Sequence, residues 1–181
     1  MTHQIGSVVI PTGEERTTLN LMSGALGKFK MTLQADGLRA AMRWLNDRVP
    51  YRFTAIFAFD GDMLRNICLI DKNDQSITSC SDQPITESYC MYIHRSRETF
   101  SVEEALLDHR VGAHPKRRTV QCYYGIPLFD SEGKILGTVC HFDSMPVRVT
   151  EDVAMVLDDL APSIAEAAFG APENIHRPQP V

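Results

Sequence analysis

Apolar and polar positions change period along the chain, and each change marks an expected element. Leu19, Met22 and Leu26 recur at helical spacing, which predicts a helix over 14–30 despite Gly24 and Gly27. A second helix is expected over 33–48, where Leu38, Met42, Leu45 and Val49 share a face and Pro50 stops the run. The period then drops to two. In YRFTAIFAFD, Phe53, Ala55, Phe57 and Phe59 fall on one face, with Thr54, Ile56 and Ala58 on the other. Asp60-Gly61-Asp62 is a turn signal, and MLRNICLID is the expected antiparallel partner.

Residues 72–83 are polar and predict a loop, and Pro84 is expected to open a short helix reaching Arg95. The stretch 99–118 is irregular, with one helical turn expected at Glu103–Leu107. A second hairpin follows in QCYYGIPLFDSEGKILGTVCHFDSMP, two apolar runs joined by the turn-like DSEGK. The clearest stripe is the last: Val153, Val156, Leu157, Leu160, Ile164, Ala167 and Ala168 predict a helix capped by Thr150 and kinked at Pro162. Residues 1–13 predict a flexible arm and 171–181, rich in proline, a disordered tail; one domain fills 14–170. The fold class expected is α+β. Terminal helices cover one face of an antiparallel sheet, and the connections cross the other face with a pocket beneath them.

Composition narrows the partners. The chain of 181 residues carries a net charge of −5, which argues against nucleic acid and against an anionic membrane surface as partners. The N-terminal stretch lacks the basic start and apolar core of a secretory signal, and no run approaches the ~20 apolar residues of a membrane span. Five cysteines without a CxxC pair fit reduced thiols, so a cytoplasmic protein is expected.

From Pro84 to Phe169 the chain resembles the GAF domain family. The resemblance rests on ESYCMYIHRSRETFSVEEALLDHR followed by YYGIPLFDSEGKILGTVCHFDSMP, in the family's order: a short helix with a cysteine, a connection, a strand ending in Gly-x-Pro-Leu, a turn, then Gly-Thr-x-Cys and an aspartate. From Leu33 to Asp71 the likeness is one of pattern only. It implies a sensory fold similar to PAS domains, a small-molecule ligand between sheet and loops, homodimerisation through terminal helices, and a signalling protein as partner.

Two sharper versions of the resemblance fare differently. The Asn-Lys-Phe-Asp-Glu signature of cyclic-nucleotide binders is absent, and Cys122 and Cys140 stand at the wrong places for a tetrapyrrole-attaching cysteine; no cofactor is specified. The free methionine-(R)-sulfoxide reductases, small GAF proteins, share the ten-residue spacing of Cys80 and Cys90, which names those two as catalytic if the chain is a reductase. Three positions depart from that enzyme: Lys116 replaces its catalytic cysteine, Tyr123 an acidic substrate ligand, and Cys140-His141-Phe142 its closing Asp-x-Asp. A non-enzymatic sensor is therefore the leading expectation, with the thiol reductase and a ligand-free dimerisation module as alternatives.

Individual residues carry simpler readings beside these. Cys68, Cys122 and Cys140 suit strand cores, whereas Cys90 at a helix start is the thiol whose pKa a helix lowers. His94, His109, His114 and His141 lack metal-ligand spacing, and no metal site is expected. His114–Arg118 forms a basic cluster in an acidic protein, suited to a solvated loop or to an anionic ligand group. By alternation Tyr123 and Tyr124 face opposite sides, so only one reaches the pocket. The expected ligand-binding set is Phe57, Cys68, Tyr89, Cys90, Tyr123 and Cys140, with Arg110 or Arg118 at the mouth.

Overall fold

A six-stranded antiparallel sheet, with helices on both faces, organises the molecule. The structure is a computed structural model; it describes residues 13–148 and 151–170, and side chains over 24–148 and 156–170. The expected arm and tail, and Thr150 as a cap, lie outside the described residues. In chain order the elements are α1 (Gly13–Asn46), β1 (Phe53–Asp60), β2 (Met63–Asp71), β3 (Gln83–Pro84), α2 (Cys90–Ser96), β4 (Phe100–Val102), β5 (Cys122–Phe129), β6 (Ile135–Asp143) and α3 (Glu151–Phe169). The strands lie in the order β3-β2-β1-β6-β5-β4, so the two hairpins meet at the central β1–β6 pair.

Alternation on the central strands sorts side chains into two apolar layers. Ile56, Tyr124, Ile126, Leu128 and Val139 point to one face and pack beneath α1 and α3. Leu157, Leu160 and Ile164 of α3 are fully buried there, each worth about 1.5–3 kcal/mol relative to exposure. Ala55, Phe57, Tyr123 and Cys140 point the other way, toward α2 and the connections. Tyr123 and Tyr124 do part company across the sheet. Gly61, at φ 58°, turns the first hairpin as expected.

Several boundaries differ from expectation. The two N-terminal helices are continuous through residues 31–32 and break instead at Gly37, whose φ of 82° and ψ of 177° no other residue type adopts readily. Pro84 leads into a 3-10 turn (Ile85–Glu87), and α2 starts only at Cys90. The two-residue β3 and three-residue β4 were not anticipated, because strands that short carry no period. α3 runs through Pro162 as one element.

A polar cluster is buried on the helical side. Asn46 donates to the Thr54 hydroxyl (2.7 Å), which lies 2.7 Å from Nδ1 of His141. Nε2 of His141 and Oδ1 of Asn46 are buried there without a hydrogen-bond partner among the described residues. His141 stacks on Tyr51, ring centroids 5.5 Å apart, and is fully buried. Burial holds it far below the usual histidine range, at about 3, with Lys72 adding to the effect.

Candidate functional site

The face opposite α1 and α3 carries a cavity of about 510 Å³. Its floor is the sheet: Phe53 and Phe57 from β1, Leu69 from β2, Tyr123 from β5, and Cys140 and Phe142 from β6. Its roof and rim are Cys80, Ser81 and Gln83, then Glu87, Ser88 and Tyr89 leading into α2, and Lys116, Thr119 and Val120 ahead of β5.

Specific bonds hold that roof in place. Arg39 of α1 donates to the carbonyls of Leu69 (2.9 Å) and Thr78 (3.1 Å), tying the 72–82 loop to β2. Asn66 accepts the Cys80 backbone N–H at 3.1 Å, and Arg65 pairs with Asp82 at 2.9 Å. The Tyr89 hydroxyl donates to the Val120 carbonyl (3.2 Å). Nδ1 of His114 accepts the Lys116 backbone N–H (3.1 Å), capping the 3-10 turn Pro115–Arg118 that brings Lys116 to the cavity. Burial lowers the pKa of His114, which keeps Nδ1 free to accept.

On the floor, Gly125 follows Tyr123 by two residues and so shares its face. A Cβ at Gly125 would overlap the Tyr123 ring, so the glycine is what lets that ring lie along the strand. Tyr123 meets Tyr89 edge-on, ring centroids 5.7 Å apart, and its hydroxyl is 3.3 Å from the sulfur of Cys90. Burial raises the pKa of Tyr123 and of Cys140 well above their ordinary values. Burial also opposes ionisation of Cys90, but hydrogen bonds from Cys140, Ser88 and Tyr123 outweigh it and lower that pKa. The Cys80 thiol is raised, first by burial and then by Asp82 and Cys90, which does not activate it as a nucleophile.

Four of the residues expected in the pocket line it: Phe57, Tyr89, Tyr123 and Cys140. Cys90 lies in the same layer, fully buried behind the floor. Three others need correction. Cys68 faces the helices, because β2 holds a bulge where the register with β1 shifts between Ile56 and Phe57. Cys68 pairs with Ile56, while Asn66 pairs with Phe57. One extra residue reverses which side chains face which layer. Arg110 is engaged by Asp108 (2.6 Å) and the Ser101 carbonyl (2.7 Å), away from the cavity. Arg118 is exposed and contributes no lining; the cation of that cluster at the cavity is Lys116.

Lys116 and Glu87 are the charged lining residues, and among the described residues neither forms an ion pair. Among the described residues no group of three or more His, Cys, Asp or Glu is placed to hold a metal ion. No helix is long and apolar enough to cross a membrane, among the described residues.

No protein-family model matches the chain, and no curated protein matches it in sequence. Solved structures do match. The GAF domain of an Acinetobacter phosphoenolpyruvate-protein phosphotransferase is similar with a TM-score of 0.68 at 14% identity, over 84% of this chain and 95% of that one. The fold is that of a GAF domain. The GAF-fold free methionine-R-sulfoxide reductase of Neisseria meningitidis, solved with its substrate, is similar with a TM-score of 0.65 at 13% identity, over 90% and 95%. The reduced Staphylococcus aureus reductase gives 0.59 at 16%, over 89% and 97%. At these identities the likeness is one of fold. Lys116, Tyr123 and Cys140, three positions at which the sequence departs from the reductase pattern, all line this GAF cavity.

Proposed function

We propose that this chain is a small-molecule sensor of the GAF type, binding without catalysis a ligand with an apolar or aromatic body and an anionic group. The carrying observation is the cavity itself: an aromatic floor of Phe53, Phe57, Tyr123 and Phe142, with the unpaired cation Lys116 at its rim. Aromatic walls supply contact area, and one cation desolvated beside them orients a carboxylate or phosphate. Glu87 on the same rim suits a ligand that also carries an amine. Homodimerisation through α1 and α3, a downstream signalling protein and a cytoplasmic setting belong to this reading.

The reductase alternative has less behind it. Neither of its two candidate thiols suits nucleophilic attack on a bound sulfoxide. Cys80 is exposed at the rim with its pKa raised away from the thiolate, and Cys90, although its pKa is lowered, is 0% exposed.

The test is a thermal-shift screen of aromatic and aliphatic carboxylates, amino acids and phosphates, followed by calorimetry on the best compound. Lys116→Ala should weaken that compound at least tenfold, about 1.4 kcal/mol, with melting of the apo protein unchanged. A bound compound indifferent to Lys116, or no stabilisation by any anion, would overturn the reading.

A further inference from the structure

One histidine stands a layer behind the cavity rim. His114 is 7% exposed, does not line the cavity, and contacts two residues that do, Tyr89 and Lys116. Its ring lies 4.5 Å from that of Tyr89 and 6.0 Å from that of Tyr92, centroid to centroid. Its Nδ1 accepts the Lys116 backbone N–H at 3.1 Å. A backbone N–H can only donate, so Nδ1 is unprotonated and the neutral ring carries its proton on Nε2. Pro115 has no N–H, which makes that of Lys116 the first donor of the turn Pro115–Arg118. The bonds further along are independent of the ring: the Thr119 N–H reaches the Lys116 carbonyl at 2.9 Å, and the Gln121 amide reaches the Arg117 carbonyl at 3.0 Å. Among the described residues, the imidazole is the partner of the Lys116 N–H.

A charged ring cannot fill that place. Imidazolium bears a proton on both nitrogens, so neither orientation offers an acceptor. The titratable groups packed on the ring are Tyr89 and Tyr92, whose hydroxyls donate to the Val120 carbonyl (3.2 Å) and the Arg110 carbonyl (3.0 Å). The charge that acts on it is that of Lys116, of the same sign. Arg117 turns instead to the Ala105 carbonyl (3.1 Å), and Arg110 to Asp108. Burial and then Lys116 lower the pKa of His114, against a raising contribution from the Ser88 backbone, so the ring charges on the acid side of 6.5.

We propose that His114 is a positioning residue for Lys116, and that its protonation frees the start of the Pro115–Arg118 turn and withdraws the Lys116 cation from the cavity. The consequence for binding rests on the sensor reading: an anion held by Lys116 binds more weakly as pH falls. The sign separates this from ordinary electrostatics. A histidine that only added its charge near an anion site would tighten binding on acidification.

The experiment follows the isotope-labelled full chain by NMR from pH 7.5 to 5, first with no ligand. The expected result is an Nε2-protonated His114 ring at pH 7.5 and a Lys116 amide shift that moves with the His114 midpoint. Across that midpoint the exchange protection of the Lys116 amide should fall at least about tenfold further than that of Val139 in β6. In His114→Asn the side-chain oxygen can cap the turn but does not titrate, so Lys116 protection should no longer follow pH in this way; His114→Ala should lose it at every pH. A ring protonated on Nδ1 at pH 7.5, or a Lys116 amide indifferent to the titration, would overturn the proposal. The wild-type titration decides this even if a variant fails to fold. The second arm measures 2-naphthalenesulfonate, whose charge is constant over this range, at pH 7.5 and 5.5. Its affinity should drop at least about threefold in the wild type and hold in His114→Asn. Equal or tighter binding at pH 5.5 would overturn the gate. Failure of the sulfonate to bind at either pH counts against the sensor reading alone, and the amide titration still decides the role of His114.

Discussion

At the scale of single residues, the neighbours Cys140 and His141 face opposite layers and play different parts. His141 is neutral, buried, and tied through Thr54 to Asn46. Its folded pKa of about 3 lies below the ordinary 6.5, so the unfolded chain takes up a proton that the folded one refuses. Stability is then complete above pH 6.5 and is lost as pH falls toward 3, at up to about 1.4 kcal/mol per pH unit. Urea melts at pH 7, 5.5 and 4 should show that decline, and His141→Asn should flatten it; an unchanged slope in the variant would remove His141 as the cause. Asp71 adds to acid lability at lower pH, since its bond with Arg52 (2.7 Å) lowers its pKa. The side on which Phe57, Tyr123 and Cys140 fall was legible from simple alternation. Lys116 was not, because Pro115–Arg118 is a 3-10 turn whose facing follows from the His114 cap and from no periodic pattern.

At the scale of elements, both hairpins and α3 were legible because long apolar periods and turn residues agree. Cys68 shows where that logic stops. A bulge adds one residue without any mark in MLRNICLID, and every later position of β2 changes face. The break in α1 shows the converse, a signal present but outweighed. Gly24, Gly27 and Gly37 look alike in sequence, yet only Gly37 takes a positive φ. That break lets Phe29 and Met42 reach the same core from either side of it. Nothing lies within 4 Å of a Cβ at Gly37, so the cost of a side chain there is backbone strain alone. Gly37→Ala should therefore destabilise by about 1–3 kcal/mol, read from the denaturation midpoint at constant m-value. A neutral or stabilising result would mean that the helix straightens through this point.

At the scale of the molecule, the cavity and the terminal helices lie on opposite faces of one sheet, so a signal between them has to pass through strands. β5 and β6 are suited to carrying it, because successive residues face different layers. Tyr123 touches the cavity and Tyr124 packs beneath the helices; Cys140 and His141 repeat the arrangement. A ligand that shifts the Tyr123 ring cannot leave Tyr124 unmoved, since close-packed interiors transmit displacement. Amide hydrogen exchange with the screened ligand tests this route. Protection is expected at 80–90 and 114–123, where roof and floor meet the ligand. A second change is expected in α3 around Leu157–Ile164, which packs on β5 and touches no part of the cavity. If α3 exchanges identically with and without ligand while the roof is protected, the proposed sensor would pass its state through the roof loops rather than through the sheet. Changes in both places would make the sheet the conductor and the α1–α3 face the output.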